Sequence, residues 1–284
     1  MADKLYDATV LNAISNNNWE GEIKDSGDKV YIRTIPTGTV NNYTKGMTIT
    51  HEHLESPLVE LVIDKAKYFG CAIDDIDAWQ SDLNLIDQWA DDYSMQIKKA
   101  MDTDVLTGLF SPSNQCSADN IGATAGRISN DINVGATAAP VQLTAATVVD
   151  LLIDAGTVLD EQNVPETGRW IVLPAWACGR IKKSDLKDAS LSGDGTSIAR
   201  NGRVGVIDRF TIYMSNLLYS LTDTVVCWHC PFGTKMALTF ANQIVKTRHI
   251  KEPESTFAQL IDGLNVYGYK VINSFAIGDL YIRK

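Results

Sequence analysis

The sequence is poor in the features that usually betray chemistry. It holds four histidines and five cysteines in 284 residues. No serine sits in the strained G-x-S-x-G elbow that exposes a hydrolase nucleophile. Gly193-Asp-Gly195-Thr-Ser looks faintly like a phosphate loop, but the closing G-K-[ST] is missing and no strand feeds into it. Long basic runs are absent too. The densest is Arg180-Ile-Lys-Lys183, which Asp185 and Asp188 follow closely. With 25 Lys and Arg against 35 Asp and Glu, the formal net charge is −10. That balance excludes a broad surface for nucleic-acid phosphates, which needs clustered cations. No window approaches the roughly 18–20 uninterrupted apolar residues of a membrane span. MADKLYDATVLNAIS has neither the apolar core nor the cleavage pattern of a secretion signal, so a cytosolic setting is expected. In that setting Cys71, Cys116, Cys178, Cys227 and Cys230 are expected as free thiols rather than a disulfide framework.

What is present is a large apolar fraction, 45%, with 21% charged residues of both signs dispersed along the chain. This predicts one elaborate domain or two entwined ones with a sizeable core. Residues 1–24 read as a polar lead-in, with a short helix at most over Leu5 to Ile14, stopped by Asn16-Asn17-Asn18. KVYIRTI, residues 29–35, reads as a strand, and a second apolar run follows at 58–73. About 22 residues rich in Thr, Asn and Gly lie between them, and a two-stranded ribbon of this kind is marginal alone. Val40, Tyr43, Met47 and Ile49 would be apolar residues on an unsupported tip, so the tip is expected to rest on another molecule.

Asp77 and Gln80 read as a capping box that starts a long helix. Trp79, Leu83, Ile86, Ala90, Tyr93, Ile97 and Ala100 recur at helical spacing as one apolar stripe. Asp82, Asp87, Asp91 and Asp92 precede Lys98 and Lys99, an order that suits the helix dipole. The pattern reaches about Leu109, on the order of 45 Å, which is the length of a strut. Residues 111–140 lack aromatics and read as loop. A second helix is expected over Leu143 to Leu159, capped by Thr144. A strand follows at Arg169–Leu173, then a helix opened by Pro174, and a loop at 187–203. Strands are expected at VGVIDRFTIYMSN and TVVCWHC, at Gln243–Ile250, at Gly263–Asn273 and at the end.

The most chemical-looking spelling is Cys227-Trp-His-Cys230. A structural zinc site needs about four ligands, and no second pair lies nearby. On a strand His229 shares a face with Cys227 but not with Cys230. A redox pair would need an exposed thiol of low pKa at a helix start. The plainer expectation is a buried strand with two reduced thiols, ended by Pro231. A thiol or metal enzyme on Cys227, His229 and Cys230 is the lesser alternative. His51-Glu-His53 offers two imidazoles on one face, but no third ligand can be named. No catalytic, metal or cofactor site is therefore predicted.

The order of elements resembles the major capsid (coat) proteins of tailed bacteriophages, the Hong Kong 97 fold. YTKGMTITHEHLESPLVELVIDKAKYFGCAIDDID is similar to the return strand of that family's extended loop. RWIVLPAWACGRI is similar to its strand, proline and helix. GVIDRFTIYMSNLL is similar to a further strand, with Asp208-Arg209 where small residues are usual. FAQLIDGLNVYGYKVINSFAI is similar to its closing segment. The resemblance spans about residues 28–284. It implies an α+β fold: an N-terminal arm (1–27), an extended β-hairpin loop (28–75), a peripheral domain with a spine helix (76–142), a mixed α/β axial domain (143–244) and return strands (245–284). It implies a structural protein without catalysis or cofactors, whose hexamers and pentamers close an icosahedral shell around phage DNA, without sequence-specific DNA binding or a membrane. The shell would assemble in the host bacterial cytoplasm and end as the virion capsid. Partners would be further copies, a portal protein, a separate scaffolding protein and a decoration protein. By the same resemblance Val40, Asn42, Tyr43, Lys45, Met47 and Ile49 would meet a neighbouring subunit. Trp79, Leu83, Ile86, Tyr93 and Ile97 would form the spine-helix core. An encapsulin-like compartment of the same fold around an enzyme cargo is the alternative.

Overall fold

The computed structural model describes residues 7–18, 29–74, 85–114, 116–184, 205–251 and 258–284. Within them, no helix is long and apolar enough to cross a membrane. Three sheets organise the chain. The largest has seven strands: β4 (Val141–Gln142), β12 (Ile277–Arg283), β9 (Val225–Thr234), β5 (Arg169–Leu173), β7 (Phe210–Met214) and β6 (Val206–Ile207) in that order, with β8 (Ser220–Asp223) paired to β9. Every residue of β5, RWIVL, is buried, as expected of a strand covered on both faces. Its parallel pairing with β7 needs a crossover, which α4 (Ala175–Ile181) begins. Pro174 stands at the N-cap of α4, one residue before the helix proper, where its missing N–H costs nothing. On this sheet packs α3 (Val148–Glu161). It starts five residues later than the periodicity suggests. Thr144 makes a leading turn first, its Oγ1 accepting the Thr147 N–H at 3.2 Å.

The apolar run at 58–73 is not one strand. It divides at Ile63-Asp64 into β2 (Leu58–Val62) and β3 (Lys65–Asp74), which join different sheets. β2 pairs with β1 (Lys29–Arg33) in a two-stranded ribbon. β3 forms the edge of a three-stranded sheet with β11 (Ala258–Val271) and β10 (Leu238–Ile250). The ribbon is seated at Gly268, where a Cβ would come within 2.1 Å of Val62 O. Beside this sheet runs α2 (Leu85–Gly108), 24 residues and so about 36 Å long. The predicted capping box at Asp77 and Gln80 lies outside the described residues, as does the predicted loop at 187–203.

Residues 7–18 of the lead-in are folded onto the body. Val10, Leu11 and Ile14 are buried in the main core, and α1 (Leu11–Ile14) has no cap of its own. The cap comes from α2: Asp102 accepts the amides of Val10 at 2.6 Å and Leu11 at 3.2 Å. Burial pushes the Asp102 carboxyl upward, and the two amides pull against that. Asp102→Ala leaves both amides unmet and is expected to cost about 1–3 kcal/mol, concentrated in the arm. Hydrogen exchange checks this: the amides of Ala13, Ile14 and Ser15 should lose protection while that of Ile171 keeps it.

Glu161 helps hold the loop at 126–130. Glu161 Oε2 accepts from Ile128 N at 2.7 Å and Ser129 N at 3.1 Å. These amides, Ile128 first, hold the Glu161 carboxyl below the usual glutamate range. A depressed folded pKa gives stability that is present above the unfolded value and lost as pH falls through the folded one. Glu161→Gln should therefore flatten the fall of Tm on acidification through and below the usual glutamate range, as read by thermal melts of both proteins.

Candidate functional site: the extended loop and the buried histidine strand

The extended loop leaves the ribbon through a hydrogen-bonded neck. Thr34 N and Oγ1 both reach Pro57 O, at 3.0 and 3.1 Å, and Ser56 Oγ donates to Thr34 O at 2.6 Å. From 34 to 57 no strand ladder exists among the described residues, so the expected long hairpin is paired only at its base. The tip turns at Thr44–Met47, where Gly46 takes φ +89° and Met47 N bonds to Thr44 O at 3.2 Å. Val40 is 98% exposed, Tyr43 68%, Ile49 62% and Met47 41%, and Asn42 and Lys45 are exposed beside them. All six predicted interface residues are thus exposed on the loop, on either side of its turn. Four apolar side chains are thus left in water on a loop without ladder pairing.

The long helix is described only from Leu85 onward. Trp79 and Leu83 lie outside the described residues; Ile86 falls within α2. Tyr93 is half-buried and stacks on Phe69 of β3 with ring centroids 4.9 Å apart. Ile97 packs against the main core, half-buried. The deepest side chains come later: Met101, Val105, Leu106 and Leu109. They continue the helical pattern that the sequence carries to about Leu109. Asp104 fixes this end of the helix, its carboxylate accepting Tyr267 OH at 3.0 Å and meeting Lys65 Nζ at 3.2 Å.

Cys227 and Cys230 are both buried in β9, and both thiols are free. Pro231 does not end it. β9 runs on to Thr234, because Pro231 falls just beyond the β5 ladder, whose last pair is Ile171↔Phe232, while pairing with β12 continues. The missing N–H therefore meets no lost ladder bond on the β5 side. Burial first, then the charge of Asp279 and the Cys178 thiol, push the Cys230 thiol well up. Burial pushes Cys116, also near Asp279, to about 12. Thiols held protonated in this way are poor nucleophiles and poor metal ligands. His229 turns elsewhere: its Nδ1 lies 2.5 Å from Asp279 Oδ2 on β12. Its ring is sandwiched among Phe110, Tyr219 and Tyr281, with centroids 4.5, 5.5 and 4.5 Å away. Burial raises the Asp279 carboxyl and the imidazole opposes it. Sequence reasoning missed Asp279, although an acid inside the largely apolar run IGDLYI was a signal. Among the described residues no group of three metal-ligating side chains exists, and His51 and His53 stand exposed on the loop. Cys230→Ser would bury a hydroxyl in an apolar site and is expected to lower stability by about 1–3 kcal/mol, with the Cys227→Ser, Cys230→Ser protein showing the same metal content as wild type by elemental analysis.

Comparison with solved structures gives the class. A structure from Mycobacterium phage Che8 superposes with a TM-score of 0.80 at 23% identity, over 98% of this chain and 93% of that one. The capsid of the cyanophage P-SCSP1u gives 0.77 at 13% identity, over 100% and 91%. The asymmetric unit of the bacteriophage PhiM1 mature capsid gives 0.68 at 16%, again over 100% and 91%. No protein-family model matches the chain, and no curated protein matches it. At these identities the likeness is one of fold: the chain has the α+β fold of phage capsid subunits, the Hong Kong 97 type that its order of segments resembles.

Proposed function

We propose that this protein is a major capsid protein, and that its copies form hexamers and pentamers that close an icosahedral shell around phage DNA. The observation that carries this reading is the extended loop, whose apolar side chains find no cover among the described residues. The fold shared with capsid structures supports it over nearly the whole chain. In this reading the sheet of β3, β10 and β11 with α2 is the peripheral domain. The seven-stranded sheet with α3 and α4 is the axial domain, to which β12 returns. The loop lies across a neighbouring subunit. The role is structural, the location is the virion after assembly in the host cytoplasm, and a portal, a separate scaffold and a decoration protein complete the particle. The acidic net charge suits a wall to which packaged DNA should not adhere.

Light scattering and sedimentation of the overexpressed full chain test the reading. Capsomer-sized species that convert to shells are expected, and a chain that stays monomeric with and without a scaffold would overturn it. The contents of purified shells separate a phage capsid, which holds nucleic acid, from a compartment, which holds an enzyme.

A further inference from the structure

A cleft of about 200 Å³ lies where α1 approaches the seven-stranded sheet, with Ala13 on its lining. Trp170 of β5 is paired with Thr211 of β7, and both line the cleft. Tyr213, two residues further along the same face, lines it too. Thr234, the last residue of β9, and Lys235 close one end. Asn16 Nδ2 holds that end to the arm, donating to Lys235 O at 2.6 Å. One water takes up roughly 30 Å³, so the cleft has room for something larger.

Two polar groups of this lining are unmet. Trp170 Nε1 and Thr234 Oγ1 have no hydrogen-bond partner. Both residues are deeply buried, 1% and 4% exposed. A buried polar atom left unmet is costly, and nearly all such atoms in folded proteins find a partner. An indole N–H can only donate, so what Trp170 lacks is an acceptor. The Thr234 hydroxyl is able to donate as well. The charge of the cleft points the same way. No described side chain on its lining is a carboxylate. Glu166, which stands between the lining residues Pro165 and Thr167, pairs with Arg209 at 3.3 Å instead. Arg169 lines the cleft, but its N–H groups already serve three carbonyls and Asp160. Lys235 is exposed and makes no ion pair with a described carboxylate.

We propose that this cleft binds a small oxyanion, the carboxylate or phosphate group of a low-molecular-weight ligand. Trp170 Nε1–H and Thr234 Oγ1–H donate to its oxygens, and Lys235 supplies the opposite charge. Hydrogen bonds to an ionised acceptor are the stronger kind. The anion then sits between α1 and the sheet, at the turn that joins β9 to β10. The site is built within one chain and stands whether or not copies assemble.

Equilibrium dialysis of the full chain against radiolabelled acetate and, separately, radiolabelled phosphate tests it, in single chains and particles alike. Saturable binding at one site per chain is expected for at least one of the two. Binding of acetate alone marks a carboxylate site, of phosphate alone a phosphate site, and of both a site for either oxyanion. Lys235→Ala should weaken the binding about tenfold. Thr234→Val, which removes the hydroxyl at nearly the same shape, should weaken it too. Lys284→Ala, outside the cleft, should leave it unchanged. Saturable binding of neither anion overturns the site and leaves Trp170 to a water. Binding that Lys235→Ala leaves unchanged overturns it as well. Lys235 is exposed on a turn, so this variant gives a clear result even where Thr234→Val fails to fold by circular dichroism.

Discussion

Arg169→Ala is expected to lower the stability of the folded chain by about 3–5 kcal/mol, the range for removing one partner from a buried charged network. The Arg169 side chain is fully buried, and every direction of its guanidinium is used. Nε donates to Pro165 O at 3.0 Å, Nη1 to Gly156 O at 3.2 Å, and Nη2 to Val164 O at 2.6 Å and Asp160 Oδ1 at 2.7 Å. One side chain thus ties the last part of α3, the turn after it and the first residue of β5. Asp160 also takes Arg209, at 3.1 and 2.9 Å. Burial works to raise the Asp160 carboxyl, but the hydrogen bonds of the two guanidiniums outweigh it and hold it below the usual range. Truncation at 169 would leave three carbonyls and part of a carboxylate unmet at the centre of the fold. Arg169→Lys should recover little, because an ammonium cannot reproduce the planar fork. Equilibrium denaturation of the unassembled chain reads the effect, and a loss below about 1 kcal/mol would show that water replaces the guanidinium.

Changing Val40, Tyr43, Met47 and Ile49 together to Ser should do the opposite: abolish assembly and leave the fold intact. These side chains touch water in the single chain, and exposed substitutions usually move stability within about 0.5 kcal/mol each. In an assembly they would be the apolar centre of a contact, where a few residues carry most of the binding energy. Thermal melts should therefore nearly coincide with wild type, while sedimentation shows monomer only. Normal shells from this variant would show that the loop is not a subunit contact.

The two predictions also mark what was legible in the sequence. The loop was visible because its signal is local: apolar residues in a Thr- and Asn-rich stretch too long to support itself. β5 and the helices were visible for the same reason, through periodicity and β-branched runs. What stayed hidden depended on pairing across the chain. The cap that Asp102 gives to Val10 spans 92 residues, and His229 finds Asp279 across 50. No periodicity reports such partners. Pro231 misled because its cost depends on which neighbour lies beside it, and register alone settles that. Asp208-Arg209 departs from the small residues usual there, and the structure gives the reason. Both adopt positive φ, +42° and +65°, in the two-residue turn between β6 and β7. The ion pairs of Arg209 with Asp160 and Glu166 help hold that strained turn. The Cys227–His229–Cys230 spelling suggested metal or redox chemistry, whereas its thiols are buried and its imidazole belongs to Asp279 and three aromatic rings.

Electron microscopy of the overexpressed chain, alone and with a scaffolding protein, tests the central claim most directly. Pentameric and hexameric capsomers and closed icosahedral particles are predicted, with the loop of each copy lying over its neighbour. A monodisperse single chain under every condition, with no capsomer and no shell, would contradict it.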